Sequence, residues 1–285
     1  MLALALAINL VFFCAEVVAG LIADSLALLS DAAHMLGDTG AIALALFAAR
    51  LAQRDPAGSL TFGFKRGEIL SAQVNGLALL VLGVLIVVEA IGRLADPPDV
   101  EASLVLWMGL AGVLVNLAAA WALVRANRES LNVEGAFQHT LLDALASLGA
   151  AAAAVVILVT GFDRADPIAS LLVALLMFVS AWGLLRASGR VLLEAAPEGT
   201  DPQEIGRVLC REPGVLEVHD LHVWEVTSGF PALSAHVVVR PGVDSNLARL
   251  QLAELLERRF EIGHTTLQVE QGSGELLEIE DERES

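Results

Sequence analysis

The chain of 285 residues has no tyrosine, only two cysteines, and a single lysine, Lys65, among its seventeen basic residues. Cys14 and Cys210 stand far apart in regions of different character. Neither a disulfide framework nor a cysteine-rich metal site is therefore available, and redox chemistry has no thiol pair to use. Charge is scarce too: 18% of residues are charged against 56% apolar, with a mean hydropathy of +0.67. That composition excludes a soluble enzyme, a secreted disulfide scaffold and a disordered chain. Thirty-four acids against seventeen bases leave a net charge of −17, the wrong sign for nucleic acid or anionic lipid and a suitable one for cations.

What the sequence has instead is long apolar runs. A hydrocarbon core about 30 Å thick takes roughly 20 apolar residues per helix. Runs of that kind fall near residues 3–23, 25–50, 69–92, 103–125, 136–161 and 167–189, which predicts six transmembrane helices within residues 1–195. The first run starts at Met1 without a basic leader or a small-residue cleavage pattern, so it is read as a span and not a signal peptide. Arg50, Arg54, Lys65, Arg66, Arg125, Arg128, Arg186 and Arg190 cluster in connections on one side. The opposite side has only Arg93 and Arg164 among several acids. The positive-inside rule then predicts a multi-pass protein of the cell (inner) membrane with both termini cytoplasmic.

From about Pro197 the hydropathy falls, and residues 196–285 hold eighteen Asp or Glu against seven Arg, a net −11. Within 196–272 the pattern predicts a helix over Pro202–Cys210 capped by Asp201 and a strand over Val215–Val226. A turn at Thr227-Ser228-Gly229-Phe230, a returning strand over Ala232–Arg240, a helix over Asn246–Phe260 and a strand over Thr265–Glu270 follow. Helix, strand, strand, helix, strand is most of a split βαβ unit, so a small cytoplasmic α+β ferredoxin-like (αββαβ) domain is expected. The acidic tail at 273–285 is expected to be disordered.

Ionisable residues deep in a span are expensive and face protein or water. Span two carries His34 and Asp38, and span five carries His139 and Asp143, each pair four residues apart. That spacing stacks an imidazole and a carboxylate on one helix face. One such pair can equally be a self-satisfied hydrogen-bonded couple; two copies at identical spacing in separate spans favour ligands. Two neutral imidazoles and two carboxylates form a tetrahedral set whose charge of −2 offsets a divalent cation, and those donors favour Zn2+ over magnesium or calcium. Asp31, three residues before His34, has three readings: ligand neighbour, proton relay, or a partner that orients His34, the last being preferred. Glu16 and Glu89 stay open between a place on the ion path and a place at a span end. Because protons compete with metal for His and Asp, proton entry can eject the ion, and rocking of the helix bundle turns this into antiport without a covalent step.

Six spans, His-x-x-x-Asp in the second and fifth, and an acidic αββαβ domain together resemble the cation diffusion facilitator family. The resemblance extends to Ser25-Leu-Ala-Leu-Leu-Ser-Asp31-Ala-Ala-His34-Met-Leu-Gly-Asp38, to residues Thr61–Asn75, and to Val218-His219-Asp220-Leu-His222-Val-Trp224. It implies a homodimer that exports zinc, sometimes cadmium, cobalt or iron, from the cytoplasm in exchange for protons. His at the first ligand position of both motifs resembles zinc-type members, whereas manganese-type members tend to have Asp there. Two departures are visible. Residues Asp55–Phe64 contain no His, so the second metal site that some members build there is expected to be absent or crippled. The His-rich loop that eukaryotic members often carry between spans four and five is missing as well. Arg66 is either paired with an acid near Glu194, as the family suggests, or solvated.

The tail region holds four of the six His. His219 and His222 point to opposite faces of a regular strand and share a site only if a bulge intervenes. If Thr227 faces Phe230 across the turn, His219 lies opposite Val238 with His236 one diagonal step away. With Glu270 or Gln268 this pair resembles the family's regulatory zinc site, which the dimer partner completes in some members. His264 is expected at the surface. Three rival functions compete. An intramembrane zinc hydrolase lacks its His-Glu-x-x-His motif here, and four protein ligands leave no position for a catalytic water, so the protein is not expected to be an enzyme. A passive metal channel and a membrane-tethered metal sensor remain as alternatives to the antiporter.

Overall fold

The structure is a computed structural model. It describes the backbone of residues 2–124 and 131–272, and side chains at 11–37, 50–121, 140–272 and a few positions between 37 and 50. The acidic tail at 273–285 and Arg125 and Arg128 lie outside the described residues. The chain divides into two compact units, Met1–Arg50 with Leu70–Arg186, and Leu51–Ile69 with Ala187–Ser285.

Six long helices occupy the six apolar runs: α1 Leu2–Ala23, α2 Leu26–Ala52, α3 Gly67–Ala95, α4 Ala102–Val124, α5 Leu131–Thr160 and α6 Ala165–Leu192. Among the described residues, stretches of α3, α4, α5 and α6 are long and apolar enough to cross a membrane, and Val11–Ala23 and Leu26–Gly37 are shorter apolar stretches of α1 and α2. Outward-facing Val11, Trp107 and Val159 are 70% exposed or more. Water would penalise such a surface and hydrocarbon does not. Without a hydrophobic drive between helices in lipid, association depends on close packing of small residues. Ala19, Ala23, Ala27, Ala102, Ala150 and Ala154 accordingly form much of one buried cluster. At Gly109 a Cβ would sit 2.9 Å from the Ala151 backbone nitrogen of α5, an approach only glycine permits. Gly109→Ala is expected to force α4 from α5 and to lower stability by about 1–3 kcal/mol, read as a lower unfolding temperature in detergent.

Helix α2 begins with a cap built from two places in the chain. Asp24 takes a positive φ of 50°, and the Ser25 N–H returns to the Gly20 carbonyl at 3.0 Å, so the chain turns sharply between α1 and α2. Ser25 Oγ accepts the Leu28 N–H at 3.3 Å and donates to Asp166 Oδ1 from the start of α6. Asp166 Oδ2 also accepts the N–H of Leu26 at 2.7 Å and of Ala27 at 3.3 Å. A carboxylate there satisfies orphan donors and meets the positive end of the helix dipole. Nearby, Arg93 binds Asp24 Oδ1 at 3.0 Å and Glu89 Oε1 at 2.9 Å, which places Glu89 in a span-end ion pair.

In the other unit, α7 (Pro202–Leu209) is capped by Asp201, and α8 (Ser245–Phe260) by Asp244, each accepting backbone N–H groups of the first turn. Strands β1 (Val215–Thr227), β2 (Phe230–Val239) and β3 (His264–Gln271) form one sheet in that order, β1 antiparallel and β3 parallel to the central β2. Leu233, Ala235, Val237 and Val239 of β2 pack with Ile205 and Leu209 of α7 and Leu252 and Leu256 of α8. Alternation then turns Ser234, His236 and Val238 to the opposite face. Arg66 Nη2 meets Glu194 Oε1 at 3.2 Å with both side chains well exposed, a pair worth at most about 1 kcal/mol. Lys65 Nζ lies 3.8 Å from the Phe230 ring centre, and exposed His264 packs against Phe62 and Phe230.

Candidate metal centre

In α2, Asp31 and His34 are three residues apart and both buried, at 2% and 3% exposure. In α5, Asp143 and Ser147 are four apart. Each pair stacks on one helix face. The two faces meet. His34 Nε2 lies 3.4 Å from Asp143 Oδ1, and Ser147 Oγ donates to Asp31 Oδ2 at 2.8 Å. Contacts of 34 with 143 and 31 with 147 form two successive rungs between antiparallel helices. The described hydrogen bond of Asp31 thus goes to Ser147 on α5, so that carboxylate joins α2 to α5. Ser147 was not singled out from the sequence, although its place four residues after Asp143 was a usable signal. Asp38 and His139 are helical in backbone, and their side chains lie outside the described residues. Among the described residues no three His, Cys, Asp or Glu side chains converge as an ion-binding group.

The arrangement on the tail-unit sheet differs from the sequence expectation. His219 faces His236 directly, not Val238. Two register shifts, between Glu225 and Thr227 and between His219 and His222, each move the pairing by one residue and together make up the difference. The second is a bulge whose Asp220 adopts φ 52°. Because the bulge inserts one residue, His222, opposite Ser234, joins His219 and His236 on the face turned away from the helices. The His219 and His236 ring centres are 5.2 Å apart. His222 Nε2 lies 3.1 Å from Asp220 Oδ1. On β3, Gln268 pairs with His236 and Glu270 with Val238, so both lie on that same face, where the Gln268 amide donates to Glu270 Oε1. His219, His222 and His236 therefore gather imidazoles on one surface, with Glu270 and Gln268 along its edge.

Residues 2–193 match the family model for the cation efflux transmembrane domain, and residues 197–272 that for the cation efflux protein cytoplasmic domain. The zinc transporter ZitB of Shigella flexneri is 44% identical over 261 residues, 91% of this chain and 83% of that protein. The cadmium, cobalt and zinc/H(+)-K(+) antiporter of Bacillus subtilis is 39% identical over 264 residues, 90% of this chain and 83% of that one. A solved metal-bound C-terminal domain of the CzcD transporter from Cupriavidus metallidurans is 38% identical, covering 25% of this chain and 99% of that domain, with a TM-score of 0.24. A bundle of apolar helices, the buried His34–Asp143 contact within it and both family matches lead to one conclusion: the chain belongs to the cation efflux family, as a multi-pass membrane transporter of divalent metal cations.

Proposed function

We propose that the protein exports Zn2+ from the cytoplasm in exchange for protons, by alternating access of a site made from His34, Asp38, His139 and Asp143. The observation that carries this reading is the 3.4 Å contact of His34 Nε2 with Asp143 Oδ1 between α2 and α5. Continuing the antiparallel register beyond the two described rungs brings positions 38 and 139 to the next one. Two imidazoles and two carboxylates then close on one ion with compensated charge. Proton and metal compete for the same atoms: a protonated His34 pairs with Asp143, and an arriving zinc ion displaces that proton. Alternation of the bundle between two faces makes this competition a transport cycle. Zinc is transported as substrate. Cadmium and cobalt, named for the Bacillus subtilis relative, fit the same donors less selectively. Both termini are cytoplasmic in this reading, the inner membrane is the location, and the protein acts as a homodimer through its C-terminal unit, which the matched family description supports. Zinc binding draws His219, His236 and Glu270, now with His222, together into a regulatory site on the sheet face.

The test is zinc flux into proteoliposomes with a pH dye inside. Zinc uptake accompanied by opposite proton movement, and accelerated by an imposed proton gradient, is expected. Zinc flux indifferent to that gradient would describe a passive channel and overturn the exchange reading.

A further inference from the structure

Glu16 is the most unusual acid in the membrane unit. It lies within α1, it is fully buried, and among the described residues neither carboxylate oxygen meets a hydrogen-bond donor other than a proton shared with Asp31. Its ionisable neighbour is Asp31 of α2, a second acid and not a base. Helix α4, which packs on α1, has no ionisable side chain anywhere between Ala102 and Val124. From α5, Ser147 hydrogen-bonds Asp31, and Asp143 faces the same acid, as does His34 from α2. A buried carboxylate with no donor and no cation is unfavourable as an anion, more so beside another acid. A bound proton removes that penalty.

We propose that Glu16, backed by Asp31, is a second proton-binding site of the exchange cycle, separate from the metal ligands. The inference rests on the zinc/proton reading above. Asp31 precedes His34 by one helical turn and is bonded to Ser147, one turn from Asp143. A divalent ion at His34 and Asp143 therefore adds positive charge next to the acid pair and favours its ionised form, so zinc binding expels the Glu16 proton. By reciprocity, a proton on Glu16 weakens zinc binding.

The experiment uses purified full-length protein carrying His219→Ala, His222→Ala and His236→Ala, so that the tail-unit imidazoles do not contribute. Zinc affinity is measured across a pH series; the slope of log affinity against pH counts the protons released. Glu16→Gln, which mimics the protonated acid, is expected to lower that slope by about one proton per zinc. An unchanged slope overturns the proposal. Should Glu16→Gln not fold, Glu16→Asp, which draws the carboxyl away from Asp31, is expected to move the midpoint of the pH dependence, and a wild-type profile overturns it. Asp143→Ala in the same background separates the two readings. If it binds zinc like its parent, the metal-site reading itself has failed. A reduced slope in Glu16→Gln with zinc lost in Asp143→Ala supports both.

Discussion

Asp143→Ala is expected to lower zinc flux at least about 100-fold, since altering only an outer-shell partner of a metal ligand already costs 10–100-fold. The reason is charge as much as geometry. Removing one of two carboxylates leaves a divalent ion half-compensated in a medium that solvates it poorly, and leaves His34 without the partner that lies 3.4 Å from its Nε2. Asp143→Asn keeps shape and hydrogen bonding while removing charge, and is expected to be nearly as inactive. Flux in proteoliposomes at matched protein density is the measurement. Activity within severalfold of wild type for either variant would remove Asp143 from the site. Protein folding is a separate readout, and both variants are expected to be recovered intact because Asp143 is only half-buried.

The second large effect is on stability. Asp166→Ala removes the acceptor for the Ser25 hydroxyl and for the Leu26 and Ala27 N–H groups at the buried start of α2. Each buried donor left unsatisfied costs about 1–3 kcal/mol, and the helix dipole loses its counter-charge. A total of at least about 3 kcal/mol is expected, corresponding to at least about 6 °C in unfolding temperature for a unit of this size. Asp166→Asn keeps one acceptor oxygen and should recover about half of that loss. The residue touches no proposed ligand, so flux per folded molecule should change far less than the melting temperature. A melting temperature equal to wild type would show that the cross-chain cap contributes nothing.

Much of this architecture was legible because it follows from local rules. Apolar runs of about 20 residues leave the chain few options in lipid, and helices occupy all six. The αββαβ order could be read because Asp201 and Asp244 sit at helix starts and Thr227-Ser228-Gly229-Phe230 can only be a turn between strands. What escaped depends on long-range pairing or on one backbone angle. The bulge at Asp220 follows from a left-handed φ that Asp tolerates better than most residues, yet nothing in Val218-His219-Asp220-Leu221-His222 requires it. It alone changes which face His222 occupies. Asp166 looked like one more acid in a loop on the side poor in bases, and its role as cap for α2 comes from the meeting of two helix ends 140 residues apart. Glu16 and Glu89 were indistinguishable as letters. The structure separates them, because an arginine four residues on neutralises Glu89, while among the described residues Glu16 has neither a donor nor a cation. Of the four residues that spacing proposes as membrane ligands, the structure brings together His34 of α2 and Asp143 of α5.

Whether those residues grip a single ion is best tested by a double-mutant cycle on zinc affinity with His34→Ala, Asp143→Ala and the pair, in the background lacking the tail-unit imidazoles. Side chains bound to one ion are strongly non-additive, because the first loss already destroys the site. Each single variant is expected to lose about 100-fold or more in affinity, and the double variant scarcely more than the worse single. Losses that simply multiply, or single variants that bind zinc like their parent, would mean that α2 and α5 do not share a metal ion.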